Sequence, residues 1–358
     1  MTDSTLLYIP DISGFTDFVN KTEINHSRHI ISELLENIIN SDQLKLTVSE
    51  IEGDAVLFFR EDVPSIDELI EQCRKTFINF HTHLRRYDAE RICRCGACET
   101  ASSLTLKFII HAGQVQKINI KDHQKLHGAD VILAHRLLKN SIPQKEYILL
   151  TDSIETEDYP INPGKDDWSK SIKGQESFDD IGDVNYSCIP LQNLHEGIPE
   201  PSAISFPGMS RETISCQAAI QSPIDTVYEN FSNFEKRIEW NEDIKDIILH
   251  GDSLNKTGSL HTCLVGPYSL DIESIGRIEN NDQIVYGERL NKFKGLRDII
   301  SIYTFTKSGD QTNIQAEVDF KISSWLGKLM KPMVRKMLLK QTEDGLKKLK
   351  KVSEENAG

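Results

Sequence analysis

The alternation of apolar and polar residues predicts a mixed series of strands and helices in the first half of the chain. Runs of period two indicate strands, and apolar residues three and four positions apart indicate helices. The predicted elements are, in chain order, a strand at 5–10, a helix at 16–40, a hairpin at 45–59 that turns at Glu52 and Gly53, a helix at 65–90, a strand at 104–113, a helix at 130–138 and a strand at 146–154. This order favours an α+β domain with helices packed on a sheet.

The second half begins a new series of elements. An alternating strand is predicted at 212–221, after which Ser222 is the predicted N-cap of a helix and Pro223 its first residue. Strands with turn signals follow over 244–320, and a long helix is predicted over 323–354. The predicted boundaries are a first domain at 3–195, a linker rich in proline and glycine at 196–210, and a second domain at 211–358.

Length and charge narrow the class of protein. A chain of 358 residues is long enough for two domains with separate cores. No apolar stretch approaches the ~20 residues of a transmembrane helix, and the N-terminus lacks the features of a signal peptide. A formal charge of -14 argues against general nucleic-acid binding, which requires neutralisation of phosphates. We therefore expect a cytoplasmic protein that neither crosses a membrane nor binds nucleic acid.

Two aspartates stand where a metal ion and a nucleotide could be held. Asp11 follows the first strand, and the segment Gly14–Thr16 opens the next helix, where free backbone N–H groups favour phosphate. Asp54 follows the turn of the predicted hairpin. Carboxylates of this kind bind the divalent metal that offsets the charge of a triphosphate. Taken singly, each aspartate is also an ordinary turn former.

Four segments in the same order resemble the motifs of class III adenylyl and guanylyl cyclases. They are PDISGFT at 10–16, EGDAVLFF at 52–59, LKFIIHAGQV at 106–115 and HGADVILAHRLL at 127–138. The resemblance implies a ferredoxin-like cyclase fold, a nucleoside triphosphate as ligand and a homodimer with two equivalent sites. It implies that Asp11 and Asp54 hold Mg²⁺ or Mn²⁺, and that Arg136 contacts phosphate in the transition state. The implied nucleotide-binding residues are Ile12 through its carbonyl group, Gly14, Phe15 and Thr16.

The sequence also departs from the cyclase pattern. The asparagine that orients the ribose in the family falls at Ile132, and the family's late phosphate-binding lysine has no counterpart near the acidic segment 180–183. The two base-reading positions fall at Glu50 and Lys125, which either recognise a base in an unfamiliar way or form a salt bridge. Two hypotheses follow: an atypical nucleotide cyclase of low activity, or a non-catalytic pseudoenzyme that uses the fold for binding or dimerisation. The chain as a whole resembles the uncharacterised DUF2652 family.

A cysteine-rich segment lies after the helix predicted at 65–90. Cys93, Cys95 and Cys98 offer three thiolates for one zinc ion, and the pair Cys95 and Cys98 has the spacing of a redox motif. A reduced loop without either function is the third interpretation. The candidates for a fourth zinc ligand are Cys73, His81 and His83.

The second domain resembles START-like helix-grip proteins of the polyketide cyclase type (SRPBCC). The resemblance implies an apolar cavity for a small hydrophobic ligand, which we expect to tune nucleotide binding or cyclisation in the first domain. Candidates for cavity or core are Trp240, Tyr268, Phe293, Tyr303, Phe305 and Trp325. The final helix has a basic side that either is solvated or contacts an anionic membrane, and methionines that could line the cavity. Pro332 predicts a kink or a late start of this helix.

Overall fold

The chain folds into two compact units. The computed structural model describes residues 4–20, 22, 24–94, 96–121, 123–154, 170–210, 213–250, 255–293, 295–322 and 329–355. Unit 1 consists of Met1–Arg86 and Glu99–Pro201, and unit 2 consists of Tyr87–Cys98 and Ser202–Gly358. Both units combine helices with one large sheet, so the predicted α+β class is confirmed. None of the helices in these described ranges combines the length and apolarity that crossing a membrane would need.

The elements up to residue 201 follow the predicted alternation closely. They are β1 Thr5–Ser13, α1 Phe15–Asn20, α2 Ile24–Asn40, β2 Thr47–Glu52, β3 Ala55–Arg60, α3 Ile66–Glu90, α4 Gly96–Thr100, β4 Thr105–Gly113, β5 Gln116–Ile120, β6 His123–His127, α5 Ala129–Arg136, β7 Tyr147–Thr151, β8 Ile172–Phe178 and β9 Gly182–Pro190, after which Gln192–Gly197 forms a 3₁₀ helix. The hairpin and the helix predicted at 65–90 are confirmed by β2, β3 and α3.

The sheet of unit 1 has the ferredoxin-like strand order. The order is β2-β3-β1-β4-β7-β9-β8, in which β1 lies between β3 and β4 and is antiparallel to both. Because β1 is central, its residues are buried on both faces: Tyr8 packs against the rings of Phe58 and Phe108, while Leu7 and Ile9 pack in the cluster that includes residues of α5. The buried centre of the sheet thereby holds the end of β1 in a fixed position.

One predicted helix is interrupted. The helix expected over 16–40 is wrong as a single element, because α1 ends at Asn20 and α2 begins at Ile24. The hydroxyl of Thr22 donates to the carbonyl oxygen of Phe18 at 2.7 Å, so a side chain satisfies the last turn of α1. The short α1 is thus a separate element directly after β1.

Unit 2 is an antiparallel sheet with helices packed on it. Its elements after residue 201 are β10 Ile214–Ile220, α6 Ile224–Ser232, α7 Phe234–Trp240, β11 Ile244–His250, β12 Leu260–Val265, β13 Tyr268–Asn280, β14 Gln283–Phe293, β15 Leu296–Ser308, β16 Gln311–Ile322 and α8 Lys331–Glu355. The strand order is β10-β16-β15-β14-β13-β12-β11. Leu346 and Leu349 of α8 are buried in one core with Tyr228, Phe231 and Phe305, which is the helix-grip arrangement that the sequence predicts.

Two details of unit 2 differ from the sequence prediction. The N-cap of α6 is Pro223 rather than Ser222, and the buried Ser222 hydroxyl has no hydrogen-bond partner. The final helix begins at Lys331 in the described part of the chain, and residues 323–328, including Trp325, lie outside it. Pro332 therefore stands in the first turn, where its missing N–H group is not needed.

Part of the predicted linker packs on unit 2. Gly276 of β13 and Gly287 of β14 are partners in the sheet. A Cβ atom at Gly276 would lie 2.6 Å from the side chain of Ile204, and one at Gly287 would lie 2.7 Å from the ring of Phe206. The two glycines therefore leave the space that these two apolar side chains occupy, and residues 202–210 belong to unit 2.

Candidate functional site

The fold brings Asp11 and Asp54 to the same end of the sheet of unit 1. Asp11 is near the end of β1 and pairs across the sheet with Ala55 of β3. Asp54 stands in the turn before β3, where the N–H group of Ile12 donates to its carbonyl oxygen at 3.0 Å. Gly53 has a φ of 62°, a conformation that favours glycine and allows the tight turn. The register of the hairpin thus places both carboxylates together.

The electrostatics of this pair favour a bound cation. Asp11 is 8% exposed, and Asp54 is half-buried. Burial and, to a smaller extent, the nearby Asp11 carboxylate raise the pKa of Asp54 to about 6, against the opposing effect of Lys107. Two carboxylates withdrawn from water repel one another, and a divalent metal ion would relieve this repulsion.

Lys107 is a site residue that the sequence analysis missed. Lys107 lies on β4, directly opposite Asp11 of β1. Its Nζ is 3.0 Å from Asp11 Oδ2 and also donates a hydrogen bond to the carbonyl oxygen of Leu138 at 2.9 Å. The available signal was a lysine inside the otherwise apolar strand at 104–113, but its partner depends on strand register. A metal ion at Asp11 would have to share this carboxylate with Lys107.

The segment expected to bind phosphate adjoins the aspartates. Gly14 has a φ of 92°, and its carbonyl oxygen accepts from the N–H group of Phe18 at 3.0 Å, which closes the first turn of α1. Gly14 and Thr16 are exposed. The ring of Phe15 lies 3.8 Å from the position that a Cβ atom on Gly53 would take, so this segment borders the hairpin turn. Its contact with phosphate stays a prediction.

A second polar cluster surrounds Glu50. Lys125 Nζ lies 3.3 Å from Glu50 Oε2, and His135 Nε2 lies 3.4 Å from Glu50 Oε1. His135 Nδ1 also lies 3.6 Å from a carboxylate oxygen of Glu52. The cluster lines a cavity of about 380 Å³ together with residues of α5, including Ile132, which is 53% exposed. The ion pair between Glu50 and Lys125 is therefore present, while recognition of a base there stays a prediction.

Sequence reasoning did not find His135 and placed no strand around Lys125. Lys125 lies on β6, which pairs with β5 as a two-stranded ribbon. His135 lies next to Arg136 in α5 and was passed over because the family motif singles out only the arginine. His135 meets Glu50 because α5 packs beside β2, and no local sequence pattern predicts that packing.

Arg136 already has an anionic partner. Its Nη2 donates to Asp180 Oδ2 at 2.8 Å. Asp180 belongs to the acidic segment that stands where the cyclase pattern has a phosphate-binding lysine. A triphosphate would have to replace this carboxylate at the guanidinium group, which weakens the case for efficient catalysis.

The His-x-Gly end of β4 has a positioning role. His111 Nδ1 is 2.8 Å from the hydroxyl of Thr151, and its Nε2 is 3.1 Å from Asp130 Oδ1. Asp130 Oδ2 also accepts from the N–H group of Gln114 at 2.6 Å. A Cβ atom at Gly113 would lie 2.1 Å from the Asp130 carboxyl carbon, so only glycine leaves room for this carboxylate. These contacts fix the start of α5, which carries His135 and Arg136.

The cysteine loop is described only in part. Cys95 lies outside the described residues. Cys93 and Cys98 are buried, their sulfur atoms lie within 4.8 Å of each other, and Cys98 Sγ is 3.0 Å from the hydroxyl of Tyr87. Among the three candidates for a fourth ligand, His81 is beside Glu146 and His83 is beside Glu33. The zinc site, the redox pair and the reduced loop all remain predictions.

Unit 2 contains a cavity of about 300 Å³ that is lined mostly by apolar side chains and by one buried ion pair. Trp240 and Tyr303, two of the predicted candidates, line it with Phe231. Arg237 and Glu288 also line it and form a buried pair with two contacts, at 2.6 and 3.2 Å. Burial opposes the charge on both groups, but their mutual attraction dominates, so the pKa of Arg237 is raised and that of Glu288 is lowered.

The remaining aromatic candidates of unit 2 lie elsewhere. Phe305 is in the core, and the rings of Tyr268 and Phe293 pack edge to face at 5.4 Å. The methionines of the final helix do not line the cavity: Met333 and Met337 are 66% and 39% exposed. The idea that they line it is therefore wrong, because α8 turns Gly345, Leu346 and other residues of its second half toward the cavity instead.

Comparison with family models finds one match in each half of the chain. Residues 31–147 match a family described as "Protein of unknown function (DUF2652)", and residues 211–354 match "Polyketide cyclase / dehydrase and lipid transport". Both resemblances expected from the sequence are thereby confirmed. A curated protein of Mycobacterium tuberculosis, "Uncharacterized protein Rv2561/Rv2562", is 31% identical over 124 residues, which are 35% of this chain and 58% of that protein. The chain thus spans less than two thirds of that relative.

Solved structures with similar folds occur for both halves. The catalytic core of a rhodopsin-guanylyl cyclase with converted specificity, in complex with ATPαS, has a TM-score of 0.39 at 17% identity and covers 53% of this chain and 97% of its own. The guanylate cyclase domain of RhGC from Catenaria anguillulae, in complex with GTP, has a TM-score of 0.37 at 17% identity with the same coverage of 53% and 97%. A START superfamily protein from Mycobacterium smegmatis has a TM-score of 0.33 at 17% identity and covers 40% of this chain and 97% of its own. Each of these structures is similar to the chain at a TM-score below 0.5.

Proposed function

We propose that unit 1 binds a nucleoside triphosphate together with Mg²⁺ or Mn²⁺ and acts as a degenerate nucleotide cyclase of low or no activity. The observation that carries the proposal is the pair of Asp11 and Asp54, brought together by β1 and the hairpin. The raised pKa of Asp54, about 6, indicates a site whose negative charge is incompletely balanced. Hard carboxylate oxygens are the ligands that Mg²⁺ and Mn²⁺ prefer.

Low activity follows from the residues around the phosphate position. Ile132 offers no hydrogen bond, and Arg136 is paired with Asp180. Loss of one positioned transition-state donor lowers kcat by ~10²–10³. A metal ion bound at Asp11 and Asp54 would supply charge neutralisation for the triphosphate. Lys107 would hold the Asp11 carboxylate in position, and the N–H groups of the Gly14–Thr16 segment would orient phosphate.

A homodimer is part of the proposal. In the cyclases that the first half resembles, the site forms between two such domains, and two-fold symmetry then gives two equivalent sites. Size-exclusion chromatography with light scattering tests this directly. A dimer of about twice 40.7 kDa is expected, and a monomer at high protein concentration would contradict it.

The nucleotide proposal is tested by product analysis. The purified full chain is incubated with Mn²⁺ and each of ATP, GTP, CTP and UTP, and cyclic products are sought by mass spectrometry. A product that disappears in Asp54→Asn identifies an enzyme and names the base. Metal-dependent nucleotide binding without product identifies a pseudoenzyme. Absence of both in a folded dimer contradicts the proposal and favours a scaffold that uses the fold to dimerise.

The cavity of unit 2 supports a second function, the binding of a small amphipathic ligand. Its volume of about 300 Å³ suits a small molecule, its walls are mostly apolar, and Arg237 with Glu288 provides one polar end. Gly345 of α8 lines the cavity and faces open space, so Gly345→Leu would fill it. Native mass spectrometry of the purified chain should reveal a bound small molecule that is lost in Gly345→Leu. Equal occupancy in both proteins would contradict this function.

Three further expectations belong to the same proposal. A ligand in unit 2 tunes nucleotide affinity in unit 1, which requires a measurable coupling free energy between the two binding events. The chain is cytoplasmic, which cell fractionation tests. The loop with Cys93, Cys95 and Cys98 holds zinc, which metal analysis of the purified protein tests against a variant with serine at all three positions.

A further inference from the structure

Unit 1 contains a buried cluster of two histidines and a glutamate that the nucleotide proposal does not use. His81 belongs to α3, Glu146 directly precedes β7, and His195 belongs to the 3₁₀ helix at Gln192–Gly197. His81 Nε2 is 3.0 Å from Glu146 Oε1, and His195 Nε2 is 2.8 Å from Glu146 Oε2. One potential ligand atom from each residue lies within 4.8 Å of the other two. Three distant parts of the sequence thus converge on one point.

The burial of His81 and Glu146 is unusual for groups of this polarity. His81 is 6% exposed and Glu146 is 5% exposed. Although His81 Nε2 and Glu146 Oε1 are close, they are misaligned, and neither forms a hydrogen bond of good geometry. Buried polar atoms in this condition are rare and call for an unseen partner such as a water molecule or an ion.

The surroundings hold the cluster in place. The ring of Phe77 lies 4.3 Å from that of His81 and 5.3 Å from that of His195, and the two imidazole rings are 4.5 Å apart. Arg85 donates to the carbonyl oxygen of His195 at 3.1 Å and is itself paired with Glu200 at 2.7 Å, so its positive charge is partly balanced.

We propose that His81, Glu146 and His195 bind one zinc ion. Two imidazole nitrogens and one carboxylate oxygen form a donor set that zinc accepts, with bonds of about 2.0–2.2 Å and a fourth position for water. Ligand atoms on such an ion lie about 3.3 Å apart, and the three candidate atoms, which lie within 4.8 Å of one another, would close around it. The ion ties α3 and the start of β7 to the 3₁₀ helix that ends the fold of unit 1. Its role is structural, and it is separate from the site at Asp11 and Asp54.

A second pair of histidines on a glutamate provides a matched control. His29 Nε2 and His83 Nε2 lie 3.3 and 3.5 Å from the two oxygens of Glu33. His29 lies on α2, and its side chain is 18% exposed. Unlike the cluster at Glu146, these three residues do not bring their ligand atoms together within 4.8 Å. His29→Ala therefore removes an imidazole from a similar arrangement without touching the proposed zinc site or a candidate ligand of the cysteine loop.

The test measures zinc content and zinc-dependent stability of the full chain. Wild-type protein, His195→Ala and His29→Ala are stripped with a chelator, incubated with Zn²⁺ and desalted, and zinc per chain is measured by plasma mass spectrometry. His195→Ala is the primary variant because its side chain is 38% exposed and its truncation leaves the core intact. We expect His195→Ala to bind about one zinc ion fewer than wild type and His29→Ala to bind the same amount as wild type.

Cobalt substitution separates this site from the cysteine loop. Co²⁺ bound by thiolates shows intense charge-transfer absorption, whereas Co²⁺ at His81, Glu146 and His195 adds only weak ligand-field bands, which His195→Ala should abolish. Equal zinc content and an equal zinc-dependent rise in Tm for wild type and His195→Ala would overturn the proposal. The same loss of zinc in His29→Ala and His195→Ala would overturn it as well, because the loss would then not be specific to the cluster.

Discussion

Replacing Asp54 by asparagine should stabilise the metal-free protein while abolishing its response to metal. In the folded chain the pKa of Asp54 rises from 3.8 to about 6, because burial and the Asp11 carboxylate disfavour the charged form. Such a rise corresponds to roughly 3 kcal/mol of unfavourable free energy in the ionised state. Asp54 is only half-buried, so solvent screening reduces the expected effect to about 1 kcal/mol. Asp54→Asn removes this term at neutral pH.

The size of the effect depends on pH, and its sign favours the variant wherever the effect is present. Below pH 3.8 the carboxyl group is protonated in both the folded and the unfolded chain, so the substitution changes little. Between pH 3.8 and about 6 the unfolded chain ionises first, and the folded wild type becomes progressively less stable than the variant. Above pH 6 the difference reaches its plateau of about 1 kcal/mol. For a unit of this size, that value is a rise in Tm of ~2–4 °C.

The assay is thermal unfolding at pH 4 and at pH 7.5, with chelator and with Mn²⁺. With chelator at pH 7.5 the variant should melt above wild type, and only wild type should gain stability when Mn²⁺ and nucleotide are added. Asp152→Asn is the control, because Asp152 is an exposed aspartate on the loop after β7. A variant that melts below wild type in chelator, or that keeps the full Mn²⁺ response, would refute the reasoning about this carboxylate pair.

Three further outcomes follow from individual contacts. Lys107→Met should lower the Tm of the metal-free protein and enlarge the rise in Tm that Mn²⁺ causes, because Asp11 then loses its neighbouring cation. An unchanged Mn²⁺ response would contradict the importance of the contact between Lys107 and Asp11. Asp180→Asn should raise nucleotide affinity several-fold in titration calorimetry, because Arg136 becomes free to contact phosphate. Equal affinity would show that Arg136 does not contact phosphate. Burial lowers the pKa of His261 to about 4. The free energy of unfolding of wild type should therefore fall by roughly 3 kcal/mol as pH falls from 6.5 to 4. Urea unfolding of His261→Phe should show a smaller loss over the same pH range.

Local patterns were enough to predict most elements of unit 1. The hairpin at 45–59 was predictable because its alternation changes at a glycine with positive φ, and α3 because its apolar residues keep one face over 25 residues. The pair of Asp11 and Asp54 followed from the motif order, since a hairpin beside β1 brings its turn to the end of that strand. The two-helix division of 16–40 was not predictable, because the four polar residues at 20–23 include neither proline nor glycine to mark a break.

The contacts that decide the chemistry depend on tertiary structure. Lys107 meets Asp11 because β4 pairs with β1 in one register, and a shift of one residue would turn the lysine to the opposite face. Arg237 and Glu288 are 51 residues apart, and no pattern in either segment points to the other. His81, Glu146 and His195 likewise come from a helix, a strand end and a 3₁₀ helix. Sequence reasoning finds such residues only as isolated charges or histidines.

Titration calorimetry of the full chain with a Mn²⁺-nucleotide complex tests the central claim most directly. The titrations use a slowly hydrolysed ATP or GTP analogue with Mn²⁺, the same analogue with chelator, and the variants Asp11→Asn and Asp54→Asn. The account predicts saturable binding of one nucleotide per chain that requires Mn²⁺ and is lost in both variants while Asp152→Asn binds normally. Binding that persists without metal or in both variants, or no binding by a folded dimer to either analogue, would contradict it.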